Sequence, residues 1–193
     1  MEKPLAALQQ LVKRVEASSP FYQKIFKEAG VTAADVKTMD DFNNLPFSEK
    51  ADLRRVYPLG LQAVPDEAVV RIHSSSGTTG DPVIIPYTKK DVEDWAIMFE
   101  RAYRYAGMTN RDRIQITPGY GLWTAGIGFQ AGAERLGAMV IPMGPGNTPK
   151  QLKMMADLKS TVIACTSSYA LVLAEEVAKA GLRDKICLTK GII

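Results

Sequence analysis

Residues 113–165 read RIQITPGYGLWTAGIGFQAGAERLGAMVIPMGPGNTPKQLKMMADLKSTVIAC. Three short apolar runs, Arg113–Thr117, Ala138–Pro142 and Thr161–Cys165, alternate with two segments, Ala125–Leu136 and Thr148–Leu158, in which apolar residues recur at helical spacing. Strands separated by helices of about ten residues or more predict a largely parallel sheet with helices on both faces. The same rhythm extends outward from this stretch. Before it come strands at Ala68–Ile72 and Val83–Pro86 and a helix at Lys89–Ala106; after it come a helix at Ser168–Ala180 and a last strand at Lys185–Thr189. The fold class is therefore α/β.

Residues 1–65 have a different character and read as a helical N-terminal lead, with 66–193 as the α/β portion. Ser19-Pro20 opens one helix and Gly30 closes it: a serine cap precedes proline at the first helical position, and glycine supplies a left-handed end. Ser48-Glu49-Lys50 opens another, running to about Val56. Trp95, Phe99 and Tyr103 recur every four residues, which predicts a core or interface stripe.

Composition narrows the function classes. The formal charge of +3 is spread along the chain without a basic run, so no nucleic-acid footprint is expected. No apolar run reaches the roughly 18 to 20 residues of a membrane span, and Leu5–Val15 is amphipathic, unlike a secretory signal. The cytoplasm is the expected location. Cys165 and Cys187 sit in apolar runs without metal-ligand spacing and are expected to be buried free thiols.

The chemistry-bearing segment is Ser74-Ser75-Ser76-Gly77-Thr78-Thr79-Gly80, between two predicted strands. Its amides and hydroxyls can converge on phosphate oxygens, with glycines allowing close approach. A polar hairpin turn is the competing reading, since these are ordinary turn residues. A Walker loop is excluded because Asp81, and no lysine, follows Gly80. A dinucleotide fingerprint can be forced onto Gly126-Ile127-Gly128-Phe129-Gln130-Ala131, but it lies inside a predicted helix, and no acidic residue follows the next strand. The small residues there are expected to let helix and sheet pack closely. His73, the single histidine, abuts the loop without a nucleophile or second metal ligand nearby, so a positional or hydrogen-bonding role is expected ahead of proton transfer.

Arg71-Ile72-His73 leading into Ser75–Gly80, then Gly119-Tyr120-Gly121-Leu122-Trp123-Thr124-Ala125-Gly126, then Gly132-Ala133-Glu134-Arg135-Leu136-Gly137-Ala138, resemble phenylacetate–coenzyme A ligases of the adenylate-forming superfamily. Ser19-Pro20-Phe21-Tyr22, Leu45-Pro46-Phe47, Asp52-Leu53-Arg54, Tyr57-Pro58-Leu59-Gly60, Gly146-Asn147-Thr148 and Ser168-Tyr169-Ala170-Leu171 extend the resemblance over nearly the whole chain. It implies an aryl acid, ATP with Mg2+, and coenzyme A as substrates, an acyl-adenylate intermediate, and a homodimer. Ser74, Ser75, Ser76, Gly77, Thr78, Thr79 and Gly80 would hold the ATP phosphates, with Thr78 and Thr79 the leading hydroxyl contacts. Pro118, Tyr120, Gly121, Trp123 and Thr124 would line the acyl pocket, where Tyr120 and Trp123 are candidate walls for an aromatic ring. Simple core packing is the alternative for Trp123, and a plain turn is the alternative for Gly144–Thr148. No catalytic residue and no metal ligand is assigned within the chain.

The chain departs from the family pattern where lysine commonly follows the last loop glycine. A carboxylate at Asp81, about 8 Å from phosphate at an effective dielectric near 20, would oppose each unit charge by roughly 2 kcal/mol. The family's adenine, ribose and lid segments are not present, and Gly191-Ile192-Ile193 reads as an interruption, so the expectation is an N-terminal fragment inactive alone. A standalone nucleotide- or acyl-binding module and a pure interaction domain are the competing readings.

Overall fold

The computed structural model describes residues 2–76 and 80–193, which form two compact units, 1–89 and 90–193. The first contains helices α1 (Glu2–Ser18), α2 (Pro20–Ala29), α3 (Met39–Asn43) and α4 (Lys50–Arg55), then strands β1 (Val69–Ser74) and β2 (Ile84–Thr88). Val12, Phe26 and Val36 form its helical core, with Tyr22, Ile25, Phe42 and Leu45 packed around them. Helix α2 follows its sequence signals. Ser19 is extended, Pro20 occupies the first turn, and Gly30 adopts φ 64° with its amide donating to the Lys27 carbonyl. The Ser19 hydroxyl makes no cap bond, so backbone conformation and proline set this start.

Strands β1 and β2 pair antiparallel, His73 opposite Ile85 and Ser74 opposite Ile84. They form a two-stranded sheet of their own and run antiparallel because the segment between 74 and 84 is too short for the crossover of a dozen or more residues that a parallel pair needs.

The second unit holds α5 (Lys89–Tyr105), whose first residue is the last of the first unit, then β3 (Arg113–Ile116), α6 (Ala125–Leu136), β4 (Met139–Pro142), α7 (Thr148–Asp157), β5 (Val162–Ala164), α8 (Ser167–Lys179) and β6 (Lys190–Ile192). The four strands are parallel in the order β4-β3-β5-β6. The strand period of two divides the core. Ile114, Ile116, Val162 and Ala164 pack with Tyr103, Ala133 and Leu136 of α5 and α6. Ile163 and Cys165 point the other way, onto Leu152 and Met155 of α7 and Leu173 of α8. At the entry edge, the buried carboxylate of Asp112 accepts from the Thr109 amide (2.8 Å), the Thr161 hydroxyl (2.9 Å) and the Lys190 ammonium (3.0 Å). Burial raises its pKa, but these donors outweigh burial and hold it below the usual carboxylate range.

Three local expectations are corrected. The small residues of α6 serve a helix–helix contact: a Cβ on Gly132 would stand 2.2 Å from Phe99 Cβ, and one on Gly128 would meet the Trp95 and Phe99 rings at 2.7 and 2.8 Å. The last strand is Lys190–Ile192, not Lys185–Thr189. Ile186 and Leu188 pack against the Leu152–Leu173 cluster, and Lys190 onward pairs with β5. With Ile186 and Leu188 turned inward, Cys187 between them is exposed, while Cys165 is buried and its thiol pKa raised by that burial.

Candidate functional site

In the first unit the loop closes the β1–β2 hairpin. The Ser75 amide donates to the Val83 carbonyl (3.0 Å), and the Val83 amide donates to Ser75 Oγ (2.9 Å). This exchange fastens the neck of the loop and leaves the Ser75 O–H as a donor. Ser74 is half-buried, while Ser76, Gly80 and Asp81 are exposed. The expected phosphate contacts Gly77, Thr78 and Thr79 lie outside the described residues. Gly80 adopts φ 134°, a conformation that L side chains rarely adopt. His73 is buried on β1, edge-on to the Tyr87 ring at 5.4 Å, a setting that makes it part of the hairpin's packing.

One residue beside the loop escapes sequence reading. The guanidinium of Arg54, on α4, lies 4.0 Å from where a Cβ would project from Gly80. Nothing local in the sequence signals this, because α4 and the loop are distant along the chain. A cavity of about 540 Å3 opens among α1, α2 and the 42–48 segment, but its lining of Val12, Val15, Tyr22, Phe26 and Phe47 is apolar and includes no loop residue.

In the second unit the exit edge of the parallel sheet gathers the other expected residues. Pro118, Tyr120, Gly121, Trp123 and Thr124 follow β3, and Gly144–Asn147 follows β4. The Tyr120 ring lies across the start of α6: a Cβ on Gly126 would meet it at 2.8 Å and the Gly119 carbonyl at 2.7 Å. On the side of the other loop, a Cβ on Gly144 would stand 3.8 Å from the same ring. The Tyr120 hydroxyl is buried with no hydrogen-bond partner among the described residues, and burial, with Glu134 adding to it, pushes its pKa up to about 12. Its ring joins the core packing, whereas Trp123 is 54% exposed and therefore available to a ligand.

The Gly144–Asn147 loop is built on left-handed backbone, with φ of 70° at Gly144, 80° at Gly146 and 49° at Asn147. The Gly144 amide donates to the Ile116 carbonyl (3.0 Å), and the Asn147 side chain caps α7 by accepting from the Lys150 amide (3.2 Å). Beneath it, Gln115 and Gln151 form a buried amide pair that sequence reading passed over. The signal was present: a glutamine in the middle of Arg113-Ile114-Gln115-Ile116 breaks an otherwise apolar strand core and demands a partner.

The sequence comparisons agree on the relatives. The chain is 42% identical over 178 residues to a phenylacetate–coenzyme A ligase of Pseudomonas putida, covering 92% of this chain and 40% of that protein. It is 44% identical over 168 residues to the phenylacetate–coenzyme A ligase of Escherichia coli K12, covering 87% and 38%. By sequence, the chain is similar to phenylacetate–coenzyme A ligases over nearly its whole length. It spans about two fifths of the length of these phenylacetate–coenzyme A ligase relatives. No protein-family model matches it. In three dimensions it is similar to 2-hydroxyisobutyryl-CoA ligase in complex with 2-HIB-AMP and CoA in the thioesterification state, with TM-score 0.92 and 28% identity over 98% of this chain and 42% of that one. The open conformation of that enzyme matches with TM-score 0.91 and 26% identity over 98% and 46%. The relatives by sequence and the neighbours by fold are all CoA ligases.

Proposed function

We propose that this chain is part of an ATP-dependent ligase joining an aryl acid, phenylacetate first, to coenzyme A through an acyl-adenylate. The observation that carries the reading is the match of nearly the whole chain to proteins named for that reaction. The substrate set is also consistent with the fold neighbour, whose crystal structure holds an acyl-AMP and CoA. In the first step a carboxylate oxygen attacks the α-phosphorus of ATP, the bond to the β-phosphate oxygen breaks, and pyrophosphate leaves. The coenzyme A sulfur then attacks the acyl carbon, and AMP departs with the oxygen that had joined them.

In this reading residues 74–80 hold the β- and γ-phosphates, a stabilisation of departing charge that needs donors and no side-chain base. Arg54 adds positive charge at the Gly80 shoulder and offsets Asp81. Pro118, Gly121, Trp123 and Thr124 border the acyl group, with the exposed Trp123 ring as its aromatic wall and Tyr120 as the packed floor. Magnesium enters with ATP as part of the substrate; among the described residues no group of three or more His, Cys, Asp or Glu could hold a metal ion. Residues 66–193 serve as a portion of the large adenylate-forming domain, in a cytoplasmic homodimer. Among the described residues no helix is long and apolar enough to cross a membrane.

The test is ATP–pyrophosphate exchange by the natural full-length protein with a panel of phenylacetate, hydroxyphenylacetates, indole acetate and benzoate. Exchange that depends on an aryl acid is expected. ATP binding without exchange for any acid in the panel would instead favour a non-catalytic nucleotide-binding module.

A further inference from the structure

Gln115, on β3, is fully buried on the face covered by α7, where its neighbours along the strand turn to the opposite face. Its side-chain amide donates to the Gln151 carbonyl (3.0 Å) and to Gln151 Oε1 (2.7 Å), and its own Oε1 accepts from the Ser160 hydroxyl (3.0 Å). Gln151 in turn spends both its donors on one loop, reaching the carbonyls of Gly144 (2.7 Å) and Gly146 (3.4 Å). Two primary amides in a sheet core are costly unless every group is paired, and here the pairing is complete. Two of the three left-handed residues of the 144–147 loop are thus held from below through their carbonyls, and Gly144 is the residue that faces the Tyr120 ring.

We propose that Gln151, oriented by Gln115, is a positioning residue for the Gly144–Asn147 loop, and that it sets affinity for the acid by fixing that loop against Tyr120. The second clause rests on the aryl-acid reading; the first stands on geometry alone. Gln115 delivers the constraint from the rigid centre of the sheet, and Gln151 converts it into loop position at the exit edge.

The experiment uses the natural full-length protein carrying Gln151→Met, which preserves side-chain length and removes the donors. Hydrogen–deuterium exchange at the Gly144 amide, which donates to the Ile116 carbonyl, is expected to accelerate by about tenfold or more, while β3 stays protected. In pyrophosphate exchange, KM for the aryl acid is expected to rise by about tenfold with KM for ATP within about twofold of wild type. Ser160→Ala, which removes only the distal hydroxyl, is expected to lower the melting temperature without moving either KM. If Gln151→Met does not fold, Gln151→Asn keeps an amide one methylene short of the carbonyls and is expected to shift the same readouts. Unchanged exchange at the Gly144 amide, or KM values for acid and ATP rising alike, overturns the proposal. A wild-type protein inert toward every aryl acid overturns the affinity clause together with the functional reading, and the deuterium measurement then decides the positioning clause by itself.

Discussion

Arg54 and Gly80 meet across the fold of the first unit: the guanidinium carbon and Nη1 both lie 4.0 Å from where a Cβ would stand on Gly80. The contact brings a permanent positive charge to the shoulder of a Ser/Thr/Gly loop whose next residue, Asp81, is negative. At about 8 Å and an effective dielectric near 20, one such charge contributes roughly 2 kcal/mol toward a phosphate. Arg54→Ala is therefore expected to weaken pyrophosphate binding to the full-length protein by about thirtyfold, with a smaller loss for Arg54→Lys. Titration calorimetry at two salt concentrations checks this, and the gap between variants is expected to narrow at high salt.

Trp123 and Tyr120 separate by their environments. Trp123 is 54% exposed, so Trp123→Ala is expected to change stability by no more than about 0.5 kcal/mol while raising KM for the aryl acid several-fold. Tyr120 has a buried hydroxyl without a partner among the described residues. Tyr120→Phe is expected to leave stability unchanged or raise it by up to about 1 kcal/mol. Denaturant melts paired with steady-state kinetics distinguish the two.

The contact between α5 and α6 leaves no room at Gly132. Gly132→Ala would put a Cβ 2.2 Å from Phe99 Cβ and 3.0 Å from its backbone carbonyl carbon, so the helices must separate. A loss of about 1 to 3 kcal/mol is expected, visible as a fall of several degrees in melting temperature. Gly30→Ala, where the space is open and the φ of 64° is the sole obstacle, is the control for backbone strain without collision.

Acid stability should report Asp112. Its pKa is held below the usual range in the folded protein, so its stabilisation is complete above about pH 4 and is lost as pH falls through the depressed value. Asp112→Asn cannot accept from three donors at once, and is expected to cost about 2 to 4 kcal/mol at neutral pH. The same variant is expected to flatten the dependence of stability on pH below about 4, measured by denaturant unfolding from pH 2 to 7.

Much of this architecture was legible in the sequence because it rests on local signals. Pro20 and Gly30 bound α2, and the alternation through 113–165 predicts the parallel strands β3, β4 and β5. What escaped depends on contacts distant along the chain. The last strand was misplaced because Ile186 and Leu188 are apolar for packing under α8, while the pairing residues Lys190 and Gly191 carry little strand propensity. Gly128 and Gly132 announce a close approach but not its partner, which proved to be α5. In the candidate site, residue type singles out the Ser/Thr/Gly loop and the resemblance points to the 118–124 segment, whereas Arg54 and the Gln115–Gln151 pair emerge only when α4 and α7 are folded into place.

The most direct test of the proposed chemistry follows the acid's own oxygen. Phenylacetate labelled with oxygen-18 in its carboxylate is incubated with the natural full-length protein, ATP and coenzyme A, and the nucleotide product is analysed by mass spectrometry. An acyl-adenylate route predicts AMP carrying one labelled oxygen, transferred when the sulfur displaces AMP from the acyl carbon. Unlabelled AMP, or ADP with label in inorganic phosphate, would contradict it.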